Sequence, residues 1–250
     1  MNFIGIIPAR YESTRFPGKP LAMIRGKTMI QRVYEQTIQA LPEVYVATDD
    51  KRIEQTVKDF NGNVVMTSPQ HRSGTDRIRE ASEKISWDKE NRYNVIVNIQ
   101  GDEPFIQPEQ IQELIQCFDE EHSEIATLIK PVQNSEELFN PNLPKVITNK
   151  FDFAIYFSRS TIPYIRNKDT SEWLNSYPFH KHIGIYAYRK PILDEITSLS
   201  PSLLEIAESL EQNRWIENGY RIKTAITKHE NYPVDTPEDL KNIVNQLFPE

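Results

Sequence analysis

NVIVNIQGDEPF, residues 94–105, decides how the chain reads. Its first half is apolar and β-branched at nearly every position, the pattern of a strand covered on both faces. The run breaks at Gly101 into two acids, and the helix-period stretch PEQIQELIQCF (108–118) follows. Strand, polar turn and helix in that order make one unit of a parallel α/β sheet. The same alternation runs upstream, from FIGIIP (3–8) through TMIQRVYEQTIQAL (28–41), with Thr28 as N-cap, VYVATDD (44–50), KRIEQTVKDF (51–60) and NVVMT (63–67) to RIREASEKI (77–85). An α/β fold with a mixed, mainly parallel sheet and helices on both faces is expected, with ligands outside the carboxyl ends of the strands. After about residue 125 the pattern changes. IATLIKPV, PKVITN, FAIYFSR and FHKHIGIYAYRK read as strands of a more antiparallel region, and PSLLEIAESLEQNRWIENG (201–219) as one helix or a bent pair. Strand RIKTAIT and helix TPEDLKNIVNQLF close the chain, so residues 131–190 read as a smaller antiparallel insertion and residues 1–250 as one domain.

The 250 residues carry a net charge of −7, which argues against a nucleic-acid or anionic-membrane surface. The charge is uneven: residues 1–32 hold six Lys/Arg against Glu12 and are +5, leaving −12 on the remainder. A basic loop in an acidic chain points to a small anionic ligand. No apolar run approaches the ~18 residues of a membrane span and no basic region precedes the first apolar run, so the reading is a soluble cytoplasmic protein. The single cysteine, Cys117, sits among apolar helix positions and reads as an inert thiol.

Gly18, Gly74 and Gly101 fall in polar loops at or near strand ends, in PGKP, RSGTDR and QGDEP, and the rule for ligand sites in open sheets puts these loops along one edge. In the first, Arg10 and Arg15 offer planar forks for phosphate oxygens and Lys19 a point charge, with backbone N–H groups near Gly18 as a phosphate nest. The alternative is a solvated basic loop with surface ion pairs. The loop has neither the Walker spacing nor the dinucleotide fingerprint. Asp102 can hold Mg²⁺, which takes one or two protein oxygens and completes its shell from phosphate and water, or its turn can cap the helix near Pro108. Asp235, in VDTPEDL, reads equally as a second ligand and as part of a capped helix start. HKHIGIYAY puts His180, His182, Gly184 and Tyr186 on one strand face, as a metal pair or as hydrogen-bonding or structural histidines. Asp49 and Asp50 read as caps of the next helix.

IIPARYESTRFPGKPL (6–21), HRSGTDRI (71–78), VNIQGDEPFI (97–106), YFSRSTIP (156–163), HIGIYAYR (182–189), LEQNRW (210–215) and VDTPEDL (234–240) occur in that order. Together they closely resemble the 3-deoxy-manno-octulosonate (Kdo) cytidylyltransferases, the CMP-Kdo synthetases of Gram-negative lipopolysaccharide biosynthesis. The resemblance implies a nucleotide-diphospho-sugar transferase-like (Rossmann-like) fold, a homodimer, and the reaction of CTP with Kdo to CMP-Kdo and pyrophosphate with Mg²⁺. It implies that Arg10, Arg15 and Lys19 hold the triphosphate. Pro8, Ala9 and the Ser73-Gly74-Thr75 turn read the base, Arg77 and Gln100 support the nucleotide, and Asp102 and Asp235 bind metal. Gln100, Arg159, Arg166, His182, Tyr186, Glu211 and Gln212 would form the sugar-acid side. Attack of the anomeric hydroxyl on the α-phosphorus asks for positioning and charge stabilisation and no covalent nucleophile. The rival substrates are 8-amino-Kdo or a sialic acid. Rival classes are a metal-dependent glycosyltransferase, which has less need of three cations around a triphosphate, and a catalytically silent nucleotide-binding module.

Overall fold

A computed structural model of the chain describes residues 1–71, 73–88, 93–120 and 122–248. Arg72, inside the HRSGTDRI stretch, lies outside the described residues. The chain divides into two compact units, one of residues 1–112, 189–197 and 230–250, the other of residues 113–188 and 198–229.

The first unit contains β1 (Phe3–Ala9), the short hairpin β2 (Met23–Ile24) and β3 (Lys27–Thr28), α1 (Met29–Thr37), β4 (Val44–Thr48), α2 (Lys51–Asp59), β5 (Asn63–Met66), α3 (Gly74–Asp88) and β6 (Val95–Asn98). From here α4 (Pro108–Gln116) leads into the second unit, with β7 (Ile125–Pro131), α5 (Ser135–Phe139), β8 (Lys145–Thr148), β9 (Ala154–Ser158) and β10 (His180–Arg189). The chain then returns for α6 (Lys190–Ile196), contributes α7 (Leu203–Glu208), α8 (Glu211–Glu217) and β11 (Ile222–Ile226) to the second unit, and ends in the first with α9 (Pro237–Leu247).

The sheet of the first unit runs β6-β1-β4-β5, every pair parallel. Ile4, Ile6, Ile7, Val46, Ala47 and Val95–Val97 are buried, which is why these strands read as unbroken apolar runs. In the second unit β11 lies parallel to β7, and β7-β10-β8-β9 are antiparallel neighbours. The expected mixed, mainly parallel α/β architecture is what the chain adopts. The 201–219 stretch is the bent pair, α7 and α8, broken where Ser209 takes φ +51°. Thr28 caps α1 as expected, its side chain accepting from Gln31 N. Cys117 is buried, and burial pushes its thiol up to about 11.

β1 forms hydrogen-bonded pairs with strands on both sides, so the chain crosses over in opposite directions from it and the loops after β1 and β6 open beside each other. That is the switch point where open α/β sheets bind ligands. Two glycines allow the loops to close there. Gly18, at φ +73°, donates its N–H to Tyr11 O and closes the first loop. Gly101 lies against β1 so tightly that a Cβ would stand 2.7 Å from Pro8 O.

Gly101→Ala is therefore expected to destabilise the chain by about 1–3 kcal/mol, read as a lower urea midpoint at unchanged slope. An unchanged midpoint would show that the loop can move off Pro8 freely.

Candidate active site

The first loop, QGDEP and VDTPEDL meet at Lys19. Its Nζ donates to Asp102 Oδ2 at 2.7 Å and to Val234 O at 2.8 Å, and Asp235 Oδ1 lies 3.7 Å away. Arg15 grips the same Asp235 with both terminal nitrogens, Nη1 to Oδ2 and Nη2 to Oδ1, each at 3.0 Å. Val234 N donates to Asp102 O at 3.0 Å and fixes the C-terminal segment on the QGDEP loop. Asp235 is available for this because Thr236 caps α9, in a reciprocal capping box with Asp239. Of the two readings of DTPED, helix capping thus falls to Thr236 and Asp239. Arg10 is exposed, with no hydrogen bond or ion pair among the described residues.

These residues line a cavity of about 260 Å³ together with Pro8, Ala9, Ser73, Gly74, Arg77 and Gln100. Arg10, Ser13, His71 and Arg77 also face a neighbouring cavity of about 700 Å³. Ser73 caps the start of α3, its Oγ accepting from Asp76 N at 3.1 Å while Asp76 Oδ2 accepts from Ser73 N at 3.3 Å. Thr75 is buried behind this turn. Gln100 Nε2 donates to Asn98 Oδ1 at 3.3 Å.

In the second unit His182 and Tyr186 share one face of β10, rings 5.3 Å apart, although the register with β7 shifts between Ile183 and Tyr186. Burial pushes the His182 imidazole down to about 3, so the ring is neutral near pH 7. Thr127 Oγ1 lies 2.8 Å from Ile185 O and 3.0 Å from His182 Nε2. Thr127 has one hydroxyl hydrogen; given to the closer Ile185 carbonyl, it makes His182 Nε2 the donor and leaves Nδ1 as an acceptor. Tyr186 Oη and Gln212 Nε2 are buried without a hydrogen-bond partner among the described residues. Burial, then the neighbouring Tyr188 and then the charge of Glu211, which begins α8 beside Gln212, push the Tyr186 hydroxyl's pKa up.

Arg166 is exposed and unpartnered among the described residues. Arg159 differs: Nε donates to Glu208 O at 2.6 Å, Nη1 to Pro141 O at 3.0 Å and Nη2 to Ser209 O at 3.4 Å. Its guanidinium clasps backbone, and Glu208 completes the clasp by accepting from Arg159 N, Ser158 Oγ and Tyr156 Oη.

The cytidylyltransferase family model matches residues 4–224. A 3-deoxy-manno-octulosonate cytidylyltransferase of Parabacteroides distasonis is 62% identical over 245 residues, 96% of each chain. One from Bacteroides thetaiotaomicron is 58% identical over 97% of this chain and 96% of its own. The chain belongs to the 3-deoxy-manno-octulosonate cytidylyltransferase family. In the solved structure of a CMP:2-keto-3-deoxy-manno-octonic acid synthetase complexed with CTP, 41% identical, the same fold recurs with a TM-score of 0.89 over 99% of this chain and 98% of that one.

Members of the cytidylyltransferase family work with a divalent metal, and the donors present suit one. Asp102 and Asp235 are hard oxygen donors on one cavity, and both reach toward one cation, the Lys19 ammonium. No group of three or more His, Cys, Asp or Glu forms a metal cluster among the described residues. Two carboxylates suit a cation that draws its remaining ligands from phosphate and water. Beside them, His71 carries no expected role, and Asp49 has a different role from the capping expected of it. His71, on the cavity wall, pairs with Glu80, and Asp49 pairs with Arg77 while Asp50 alone caps α2. The reading of both aspartates as caps is corrected here: one N-terminus needs one cap. Adjacent acids before a helix were the available signal.

Glu103 follows Asp102 yet is buried, with Asn231 Nδ2 donating to it at 2.6 Å. Burial, and then the charge of Asp102, push its carboxyl up to about 8. The unfolded chain releases this proton near 4.5, so stability is lost as pH rises from about 4.5 to about 8 and is level above that. In metal-free buffer Glu103→Gln is expected to melt ~2 °C or more above wild type at pH 8 and with it at pH 5. Parallel pH profiles for the two proteins would show that Glu103 ionises normally.

Proposed function

We propose that the chain transfers CMP from CTP to the anomeric hydroxyl of Kdo, releasing pyrophosphate and giving CMP-Kdo for lipopolysaccharide biosynthesis in the cytoplasm. The observation that carries this reading is Lys19 set between Asp102 and Asp235 in a cavity that Arg10 and Arg15 also line. Three cations suit a triphosphate, and two carboxylates suit the cation that accompanies it. The CTP named in the related synthetase complex supports the same nucleotide.

Displacement at the α-phosphorus puts negative charge on the equatorial and leaving oxygens, and preorganised cations lower the barrier by meeting that charge as it grows. Arg10, which has no carboxylate partner among the described residues, meets the phosphates directly. Arg15 and Lys19 hold Asp102 and Asp235 in place and carry positive charge to the edge where pyrophosphate departs. Asp102 and Asp235 would hold Mg²⁺, which would supply Lewis-acid polarisation of the phosphate oxygens and of the attacking hydroxyl. Ser73, Gly74 and Thr75, facing Pro8 and Ala9, read the base, with Arg77 and Gln100 behind the nucleotide.

The sugar acid is recognised by the second unit. His182 accepts from a hydroxyl through Nδ1, Tyr186 Oη and Gln212 Nε2 gain the partners they lack, and Glu211 adds a charged acceptor. Arg166 offers an unengaged guanidinium to the carboxylate, while Arg159 supports the loop around Glu208. No helix among the described residues is long and apolar enough to cross a membrane. Phe151, Ile155 and Tyr164 stand 58, 51 and 75% exposed, which supports a homodimer formed through residues 131–190.

The test is pyrophosphate release with CTP or UTP against Kdo, 8-amino-Kdo and a sialic acid, with and without Mg²⁺. Release with CTP and Kdo that needs Mg²⁺ is expected; none from folded protein rejects the reading. Asp102→Asn should lower kcat by about 10²-fold or more with the fold intact. Lys19→Ala should weaken CTP use far more than Kdo use, and equal losses on both would remove its triphosphate role.

A further inference from the structure

The doubled aspartate of VATDD supplies one carboxylate more than its helix needs. Asp50 caps α2, accepting from Arg52 N at 2.8 Å. Asp49 instead accepts at Oδ2 from Arg77 Nη2 at 3.0 Å, and Arg77 Nη1 donates to Thr67 Oγ1 at 2.7 Å. Asp49 stands one residue past β4 and Thr67 one past β5, and Thr67 N bonds Thr48 O at 2.8 Å, so both acceptors sit on one firm sheet edge. A guanidinium is planar, and partners on both terminal nitrogens fix its plane. The Arg77 side chain is 4% exposed, and Asp49 is the one carboxylate within ion-pair distance of it among the described residues.

Arg77 lies in the first turn of α3, just beyond the Ser73-Gly74 turn, and faces both cavities. That turn faces the end of β1: a Cβ at Gly74 would stand 3.4 Å from Pro8 Cγ. The seat of Arg77 on the sheet edge therefore sets how Ser73 and Gly74 face Pro8 and Ala9, the two walls of the nucleotide cavity.

We propose that Asp49 is a positioning residue for nucleotide selection, acting through Arg77. This rests on the reading of the cavity as the CTP site. Asp49 keeps a buried guanidinium oriented and tied to the sheet edge, and so holds the base-reading turn at its working distance from the end of β1. Loss of the carboxylate frees Arg77 to rotate and the turn to shift. The consequence falls on CTP and leaves the sugar acid untouched.

The test compares Asp49→Ala, Asp49→Asn, Arg77→Ala and the double variant Asp49→Ala/Arg77→Ala in steady-state kinetics, with CTP binding measured calorimetrically without Kdo. Asp49→Ala is expected to raise KM for CTP and weaken CTP binding by about tenfold each, with kcat and KM for Kdo within about threefold of wild type. Asp49→Asn, which keeps an acceptor oxygen, should fall between. The double variant should be no worse than Arg77→Ala alone, because the second loss has nothing left to act through. CTP binding within about twofold of wild type in Asp49→Ala, multiplicative losses in the double variant, or parallel falls in kcat and Kdo use would each overturn the proposal. Should Asp49→Ala fail to fold, Asp49→Asn is judged by the same criteria, with an intermediate loss of CTP binding as its expected result. A wild-type protein inactive with CTP and Kdo rejects the functional reading, whereas an active wild type beside an indifferent Asp49 variant rejects only this inference.

Discussion

The Lys19 ammonium, 2.7 Å from Asp102 and 2.8 Å from the carbonyl of Val234, joins segments that the chain keeps 83 and 215 residues apart. Its side chain is only 14% exposed, so the charge is largely withdrawn from water and stable only beside its carboxylates. Those carboxylates face one cavity and would repel each other without a cation between them. Each partner makes the other tolerable, and the first loop, the end of β6 and the entry to α9 are held in register as a result. The acidic chain keeps its basic loop for the same reason: the +5 of residues 1–32 is balanced locally by acids drawn from the −12 elsewhere.

Helix capping decides which acids are free to act. Before α9, Thr236 and Asp239 satisfy the first backbone N–H groups between them, and Asp235 turns to Arg15. Before α2, Asp50 caps and Asp49 turns to Arg77. In both places a polar run longer than the cap requires leaves one carboxylate over, at the strand end or helix start that borders the cavity. Local backbone requirements are met first, and the surplus group makes the long-range contact.

The parallel sheet of the first unit was legible because its strands are buried on both faces and interrupted by polar turns. The β2–β3 hairpin was not legible, since two residues per strand carry no period and its turn depends on Arg25 and Gly26 at positive φ. α5 and α6, of 5 and 7 residues, are too short to show an apolar stripe. At the site, residue types and strand-end positions pointed to Arg10, Arg15, Lys19, Asp102 and Asp235, but their pairings depend on separations of up to 220 residues. Arg159 shows the limit most plainly. A guanidinium in a resembling motif reads as a carboxylate fork, yet the carbonyls around it come from the end of α7 and from Pro141 in the α5–β8 loop, which composition does not specify.

Under the proposed function the two units would recognise their ligands with opposite electrostatics. In the cavity proposed for the nucleotide, Arg15, Lys19 and Arg77 are each ion-paired with an aspartate, so an incoming anion would exchange one set of charge partners for another. Around β10 the imidazole of His182 is kept neutral by burial, and Tyr186 and Gln212 present uncharged polar atoms without hydrogen-bond partners among the described residues. A polyhydroxylated sugar offers uncharged donors and acceptors in fixed directions, and a buried group left unpaired discriminates strongly against a ligand that cannot complete it. Charge therefore suits the part of the reaction where charge moves, and neutral hydrogen bonding suits the part where shape must be read. A fixed charge at the buried position of His182 would attract anions indiscriminately. Its desolvation would, under that function, keep sugar reading separate from phosphate binding.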